Sequence, residues 1–216
     1  MPSNDSIAQL LVEGKNDQHV IWALCGQYNL EKTFTVETPN NLNGGDSQLL
    51  NSIPVRLKIP NIRALGIVLD ADQNAESRWH SIKNILGQAG YLDLPNQPNH
   101  EGTIIANPDK PKIGVWIMPN NQIPGMLENF VANLILEDDE LAPIAEEILH
   151  RIEQESLNRY SLEHRPKAFI HTWLAWQESP GRPMGQAITA HVLNHDASLA
   201  QSFVEWLRSL FIENTN

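Results

Sequence analysis

The sequence predicts an α/β protein: a parallel sheet flanked by helices, followed by a helical C-terminal extension. Three observations carry that expectation. Short apolar runs of strand length, Ile7–Glu13 and Ala64–Leu69, each give way to a segment with apolar residues at helical spacing. Both runs are apolar on consecutive residues, as strands buried on both faces of a parallel sheet are. Beyond residue 136 the pattern is helical only. This divides the chain into an α/β domain over residues 1–136 and a helical extension packed on it over 137–216.

Taken in order, Ile7–Glu13 is the first strand. In Asp17–Tyr28, Val20, Ile21, Leu24 and Cys25 recur at helical spacing, and Asp17 suits either a helix cap or a role at the helix mouth. Phe34–Glu37 alternates and carries β-branched residues, as a second strand does. The stretch "NNLNGGDSQLLNSIPVRLKIP" reads as a Gly/Asn loop and a short helix that breaks before Pro54. Ala64–Leu69 is the next strand, and Glu76–Ala89 an amphipathic helix with Trp79, Ile82, Ile85 and Leu86 on one side. From Tyr91 prolines and turn residues interrupt the pattern. Within them "GTIIAN" and "KIGVWIM" form two strands joined by a "PDKP" turn. Helices are expected at Pro124–Leu136, Leu141–Asn158, Pro166–Glu178 and Ser198–Phe211. Trp22, Trp173, Trp176 and Trp206 fall at apolar helical positions and read as core.

Composition excludes several classes. The 216 residues carry 26 acids against 15 bases, a net charge of −11, which argues against coating nucleic acid by bulk attraction. It leaves open an enzyme that meets phosphates through metal ions. Cys25 is the only cysteine, so an internal disulfide is impossible and a cytoplasmic setting is expected. "MPSNDSIAQL" lacks the basic start and apolar core of a signal peptide. No apolar run approaches the roughly 18–20 residues that span a bilayer, so no membrane partner is expected.

The acids are where the chemistry concentrates. "LLVEGKND" places Glu13, Gly14 and Asp17 at the exit of the first strand, and "GIVLDAD" places Asp70 and Asp72 at the exit of another. Ligands of open α/β sheets bind beyond the carboxyl ends of the strands. In an extended "DAD", Asp70 and Asp72 project to the same side. Carboxylates that close are costly to ionise together without a cation, and an all-oxygen donor set suits Mg²⁺ or Mn²⁺. Gly14 leaves room for a phosphate or a metal-bound water, and Lys15 beside it is a candidate substrate contact. Read singly, an Asp-x-Asp also serves turns, and Asp17 also serves as a cap.

Together these motifs resemble the Toprim domain, whose pattern is a glutamate after the first strand and an Asp-x-Asp after the third. The resemblance covers roughly residues 7–130 and includes "IMPNNQIPGMLENF", similar to a glycine-then-Leu-Glu segment of small stand-alone Toprim-like proteins. It is similar too to the nuclease domain of the overcoming-lysogenization-defect class. The resemblance implies Asp70 and Asp72 as ligands of a principal Mg²⁺ (or Mn²⁺), and Glu13 as ligand or general acid–base. It implies Asp17 and Glu128 at a second ion, and Lys167 in "HRPKAFIHTWLAW" as the late catalytic lysine. It also implies DNA or RNA as substrate, with a partner ATPase or a homodimer as possible assemblies. The chain has no room for a topoisomerase's strand-passing domain and too few cysteines for a primase zinc module.

Two alternatives stand beside the nuclease. One is a catalytically silent Toprim-like module that binds metal, nucleotide or a partner protein, which the acidic balance favours. The other is a glycosyltransferase using Asp-x-Asp, in which Glu13 and Gly14 have no task. His191 and His195, four apart, could share a helix face; His19 and His171 lie near the acids or the lysine but read first as surface residues. "ESPGRPMGQAI" lacks the ending of a P-loop and reads as a connector. "EDDELAPIAEE" is an acidic helix start on a solvated face.

Overall fold

A computed structural model of the chain describes residues 6–38 and 46–212. Five strands form one mixed, mostly parallel sheet in the order β2-β1-β3-β5-β4. They are β1 Ile7–Leu11, β2 Thr35–Glu37, β3 Ile62–Asp70, β4 Thr103–Asn107 and β5 Lys110–Met118. β1 pairs in parallel with β2 and β3, and β3 with β5. β4 runs antiparallel to β5, as the tight turn between them requires. The fold is therefore the expected α/β, with an antiparallel edge strand added.

Helices cover both faces. On one side α2 (Asp46–Arg56) and α3 (Ala75–Gln88) bury Leu49, Ile53, Trp79, Ile82 and Leu86 against β3 and β5. On the other lie α1 (Lys15–Gln27), α4 (Leu127–Ala132), α5 (Leu141–Gln154), α6 (Arg165–Ala175), α7 (Met184–Thr189) and α8 (Ser198–Phe211). Their apolar residues form one continuous core with the sheet, centred on Trp116, Phe130, Phe203 and Trp206. The C-terminal helices thus complete the layer that α1 begins. Phe211 stacks on Phe34, its ring 4.1 Å away.

Several elements depart from the sequence reading, each for a local reason. α2 continues through Pro54, which sits in the last turn and forfeits only the bond to Leu50. The Gly/Asn loop expected before it lies outside the described residues. α4 starts at Leu127 instead of Pro124, because Gly125 pairs with Asp72 in a short bridge. α5 stops at Gln154, ahead of Ser156 at φ +55, and α6 stops at Ala175. The supposed connector after Glu178 contains α7, which packs on α1. Trp22 and Trp176 are not core: they stand 50% and 40% exposed, since α1 buries Val20, Ile21 and Leu24 and α6 buries Ile170, Trp173 and Leu174. The acidic start of α5 has a structural task, in that Asp139 Oδ1 accepts from Leu141 and Ala142 N–H and from the Trp173 indole. Among the described residues no helix is long and apolar enough to cross a membrane.

The α1–α7 contact is backbone-close: a Cβ on Gly185 would lie 2.6 Å from the carbonyl oxygen of His19. Gly185→Ala is expected to lower stability by roughly 1–3 kcal/mol in denaturant unfolding. Gly87→Ala, in α3 with open space around the new methyl, should instead raise it by up to about 1 kcal/mol. Equal stability of the two variants would contradict this packing.

Candidate functional site

The strand exits meet because of topology. From β1 the chain passes through α1 to β2 on one side, while β3 pairs on the other side of β1. The carboxyl ends of β1 and β3 therefore flank the point where connections diverge, the position at which open α/β sheets bind ligands. Glu13 leaves β1 there, and its Oε1 accepts the backbone N–H of Asp70 at 2.8 Å. Asp70 ends β3, and its Oδ1 accepts the N–H of Leu127, the first residue of α4, at 2.9 Å. Unpaired N–H groups and the dipole make that helix start a favourable place for an acid. Glu128, next along α4, is 4% exposed.

Asp17 joins them from the first turn of α1. Its Oδ2 accepts the N–H of Gly14 at 3.1 Å, so it caps the helix while being only 7% exposed. The helix-cap reading of Asp17 therefore holds. Lys167 reaches the group from α6, its Nζ 4.0 Å from Glu128 Oε1 and its side chain about half exposed. Lys15 is exposed on the same turn as Gly14.

Crowding these acids has an electrostatic cost. Burial pushes the Asp17 carboxyl up to about 6, and Glu128 adds to the shift, while backbone N–H groups and Lys167 oppose it. Asp70 is pushed further, to about 9, by burial first and then by Glu13, Asp17 and Glu128. Extra negative charge is disfavoured here, and a cation would relieve it. The donors are all carboxylate oxygens, the set that suits Mg²⁺ or Mn²⁺. Among the described residues, however, no three His, Cys, Asp or Glu side chains converge as a ready metal group. The chemistry of the donor set fits a divalent ion.

The expected common direction of Asp70 and Asp72 does not hold. β3 ends at Asp70, and Asp72 sits at φ +50 with its N–H and carbonyl bonded to the carbonyl and N–H of Gly125. The chain is turning there into α3, so the extended spacing fails, and the Asp72 carboxylate pairs with Arg78 of α3. Gly125 itself is demanded by the packing: at φ +144, a Cβ would lie 2.8 Å from Asn129 Oδ1 and 3.0 Å from Pro119 Cδ. Sequence reasoning missed Asn121 and Arg78. Asn121 is 1% exposed; its Oδ1 accepts from Ile117 N–H at 2.7 Å and its amide donates to the His100 carbonyl at 3.2 Å, pinning the loop that delivers Gly125 and α4. Only its place in the "PNNQIPG" turn hinted at this.

Beside the carboxylates, not over them, opens a groove of about 830 Å³ between the start of α3, the Pro124–Met126 turn and the start of α6. Asp72, Arg78, Ser77, Asn129 and His164 line it; Glu13, Asp17, Asp70 and Glu128 do not. His191 and His195 follow α7 instead of sharing a helix face, their rings 5.1 Å apart. His19 and His171 are exposed.

A family model described as a protein of unknown function (DUF3226) matches residues 7–212. The chain belongs to the DUF3226 family. No curated protein and no solved structure matches it. The matched span runs from β1 past the end of α8, so the sheet, the acid-bearing turns and the lysine helix of this DUF3226 chain lie within one family unit.

Asp17 and Asp70 bind their protons more tightly folded than unfolded. Their contribution to stability is full below the ordinary carboxylate value near 3.8 and is lost as pH rises, through about 6 for Asp17 and about 9 for Asp70. Without divalent ions the DUF3226 protein should therefore lose stability across that range. Asp70→Asn keeps an acceptor for the Leu127 N–H and should stabilise the metal-free protein near pH 8 by roughly 1–3 kcal/mol. A variant with unchanged or lower Tm at that pH would contradict the electrostatic account.

Proposed function

We propose that this DUF3226 protein is a Mg²⁺- or Mn²⁺-dependent nuclease of the Toprim type that hydrolyses phosphodiester bonds of DNA or RNA in the cytoplasm. The observation that carries the proposal is the crowding of acids from separate elements. Glu13, Asp17, Asp70 and Glu128 come from four separate elements to one strand-end crevice, and Lys167 is the cation beside them. The Toprim resemblance assigns all of these to metal and phosphate, together with Asp72, which pairs with Arg78.

Bound there, a divalent ion would polarise the phosphate and lower the pKa of a coordinated water. Glu13, half-buried at the strand exit and accepting the Asp70 N–H, would take the proton of the attacking water. Lys167, half-exposed, can turn from Glu128 to a non-bridging phosphate oxygen and offset charge developing there. Gly14 keeps the crevice mouth clear of a side chain, and exposed Lys15 can contact a neighbouring phosphate of the strand. A partner ATPase or a second copy of the chain is compatible with this role.

A second reading has an observation of its own. Asp72 is held by Arg78, away from Asp70, and the chain carries a net charge of −11. Both favour a Toprim-like module that binds metal, nucleotide or a partner without turnover.

Purified protein should cleave at least one of supercoiled plasmid, single-stranded DNA or structured RNA in Mn²⁺ or Mg²⁺. Asp70→Asn and Glu13→Gln should each reduce the rate by roughly 10²-fold or more. Lys167→Ala should lower kcat more than it raises KM. Folded wild-type protein that cleaves none of the three would favour the silent module; cleavage equal in wild type and Asp70→Asn would mark a contaminant.

A further inference from the structure

Arg78 stands apart from the groups used so far. It lies on the groove wall, with its side chain 19% exposed, and its guanidinium holds the Asp72 carboxylate, which is 49% exposed. It is the one Lys or Arg among the described residues lining that groove. The rest of the wall carries one further acid, Glu163, which accepts from Gln73 Nε2, and the neutral polar side chains of Asn74, Ser77, Ser81 and Asn129. A groove of about 830 Å³ is within the usual range for small-ligand sites. Its single guanidinium is the fork that suits phosphate oxygens.

The backbone of Asp72 is fixed by its two hydrogen bonds to Gly125, at 2.9 and 2.8 Å, so only its side chain is free to swing. Asp70 and Asp72 are two residues apart, which keeps their Cα atoms within about 7 Å whatever the turn between them. Bringing both carboxylates to one ion requires the Asp72 side chain to rotate out of its ion pair. What opposes that rotation is the ion pair with Arg78.

We propose that Arg78 is a phosphate-gated latch on Asp72: it holds the carboxylate away from Asp70 until a phosphate of the substrate strand, entering the groove, takes the guanidinium and releases Asp72 to the metal. This rests on the metal reading given above. It couples strand binding to completion of the ion site, so that the ion is held tightly only when a phosphodiester is in place. Arg78 is then a positioning residue whose target is the groove phosphate next to the one that is cut.

The test is Mn²⁺ binding, measured by calorimetry without nucleic acid, with sulfate as the phosphate probe and chloride at matched ionic strength as control. Arg78→Gln should bind Mn²⁺ roughly fivefold more tightly than wild type, the scale of one partly exposed ion pair. Sulfate should tighten binding to wild type by a similar factor and leave Arg78→Gln unmoved. Asp72→Asn should bind more weakly and respond to neither sulfate nor a second change at Arg78. Should Arg78→Gln not fold, the comparison of wild type with Asp72→Asn in sulfate still decides. Mn²⁺ binding that is lost in Asp70→Asn but equal in wild type and Arg78→Gln, and indifferent to sulfate, overturns the latch and leaves the metal reading intact. No Mn²⁺ uptake by any of the proteins overturns both.

Discussion

The constraint on which the site depends is the burial of several carboxylates at the exits of two adjacent parallel strands. Nothing in sheet formation asks for them. A central strand gains by ending in a residue that leaves water cheaply, yet Glu13 follows β1 closely, Asp70 ends β3, and α1 and α4 bring Asp17 and Glu128 to the same place. The fold tolerates them by giving three a backbone partner, Asp70 N–H for Glu13, Leu127 N–H for Asp70 and Gly14 N–H for Asp17, and by setting Lys167 4.0 Å from Glu128. Those bonds offset desolvation only in part, and the remainder appears at Asp17 and Asp70, whose carboxyls resist ionisation.

The surrounding structure makes sense as support for that crowding. Pairing of β1 with β3 puts the two exits a strand width apart. The loop after β5, pinned by buried Asn121, closes over Asp72 through Gly125 and presents the first N–H groups of α4 to Asp70. α4 is held in turn by α6, and α6 delivers Lys167 to Glu128. The C-terminal helices are therefore part of the site's architecture as well as of the core, because the only basic side chain within 4.0 Å of a cluster acid, among the described ion pairs, comes from them.

Much of this was legible in the residues. β1, β3, α3, the β4–β5 hairpin and α8 follow from period and turn chemistry, since long apolar runs and a Pro-Asp turn leave few alternatives. The acids at the strand exits were visible because charge directly after a buried strand is unusual. The direction of Asp72 was not legible: it depends on a bridge to Gly125, fifty-three positions away, which no local pattern encodes. The same holds for Trp22 and Trp176, whose exposure is decided by which helical stripe the tertiary packing selects. Arg78 escaped notice because an arginine on a helix reads as solvated surface until the turn opposite it is in place.

The central claim is that the acid cluster exists to hold a divalent ion. The most direct measurement is anomalous diffraction at the manganese edge from crystals grown in Mn²⁺. The account predicts a peak ligated by Asp70 and by at least one of Glu13, Asp17 and Glu128. Full data with no peak in that crevice, and Lys167 closing on Glu128 in its place, would contradict it.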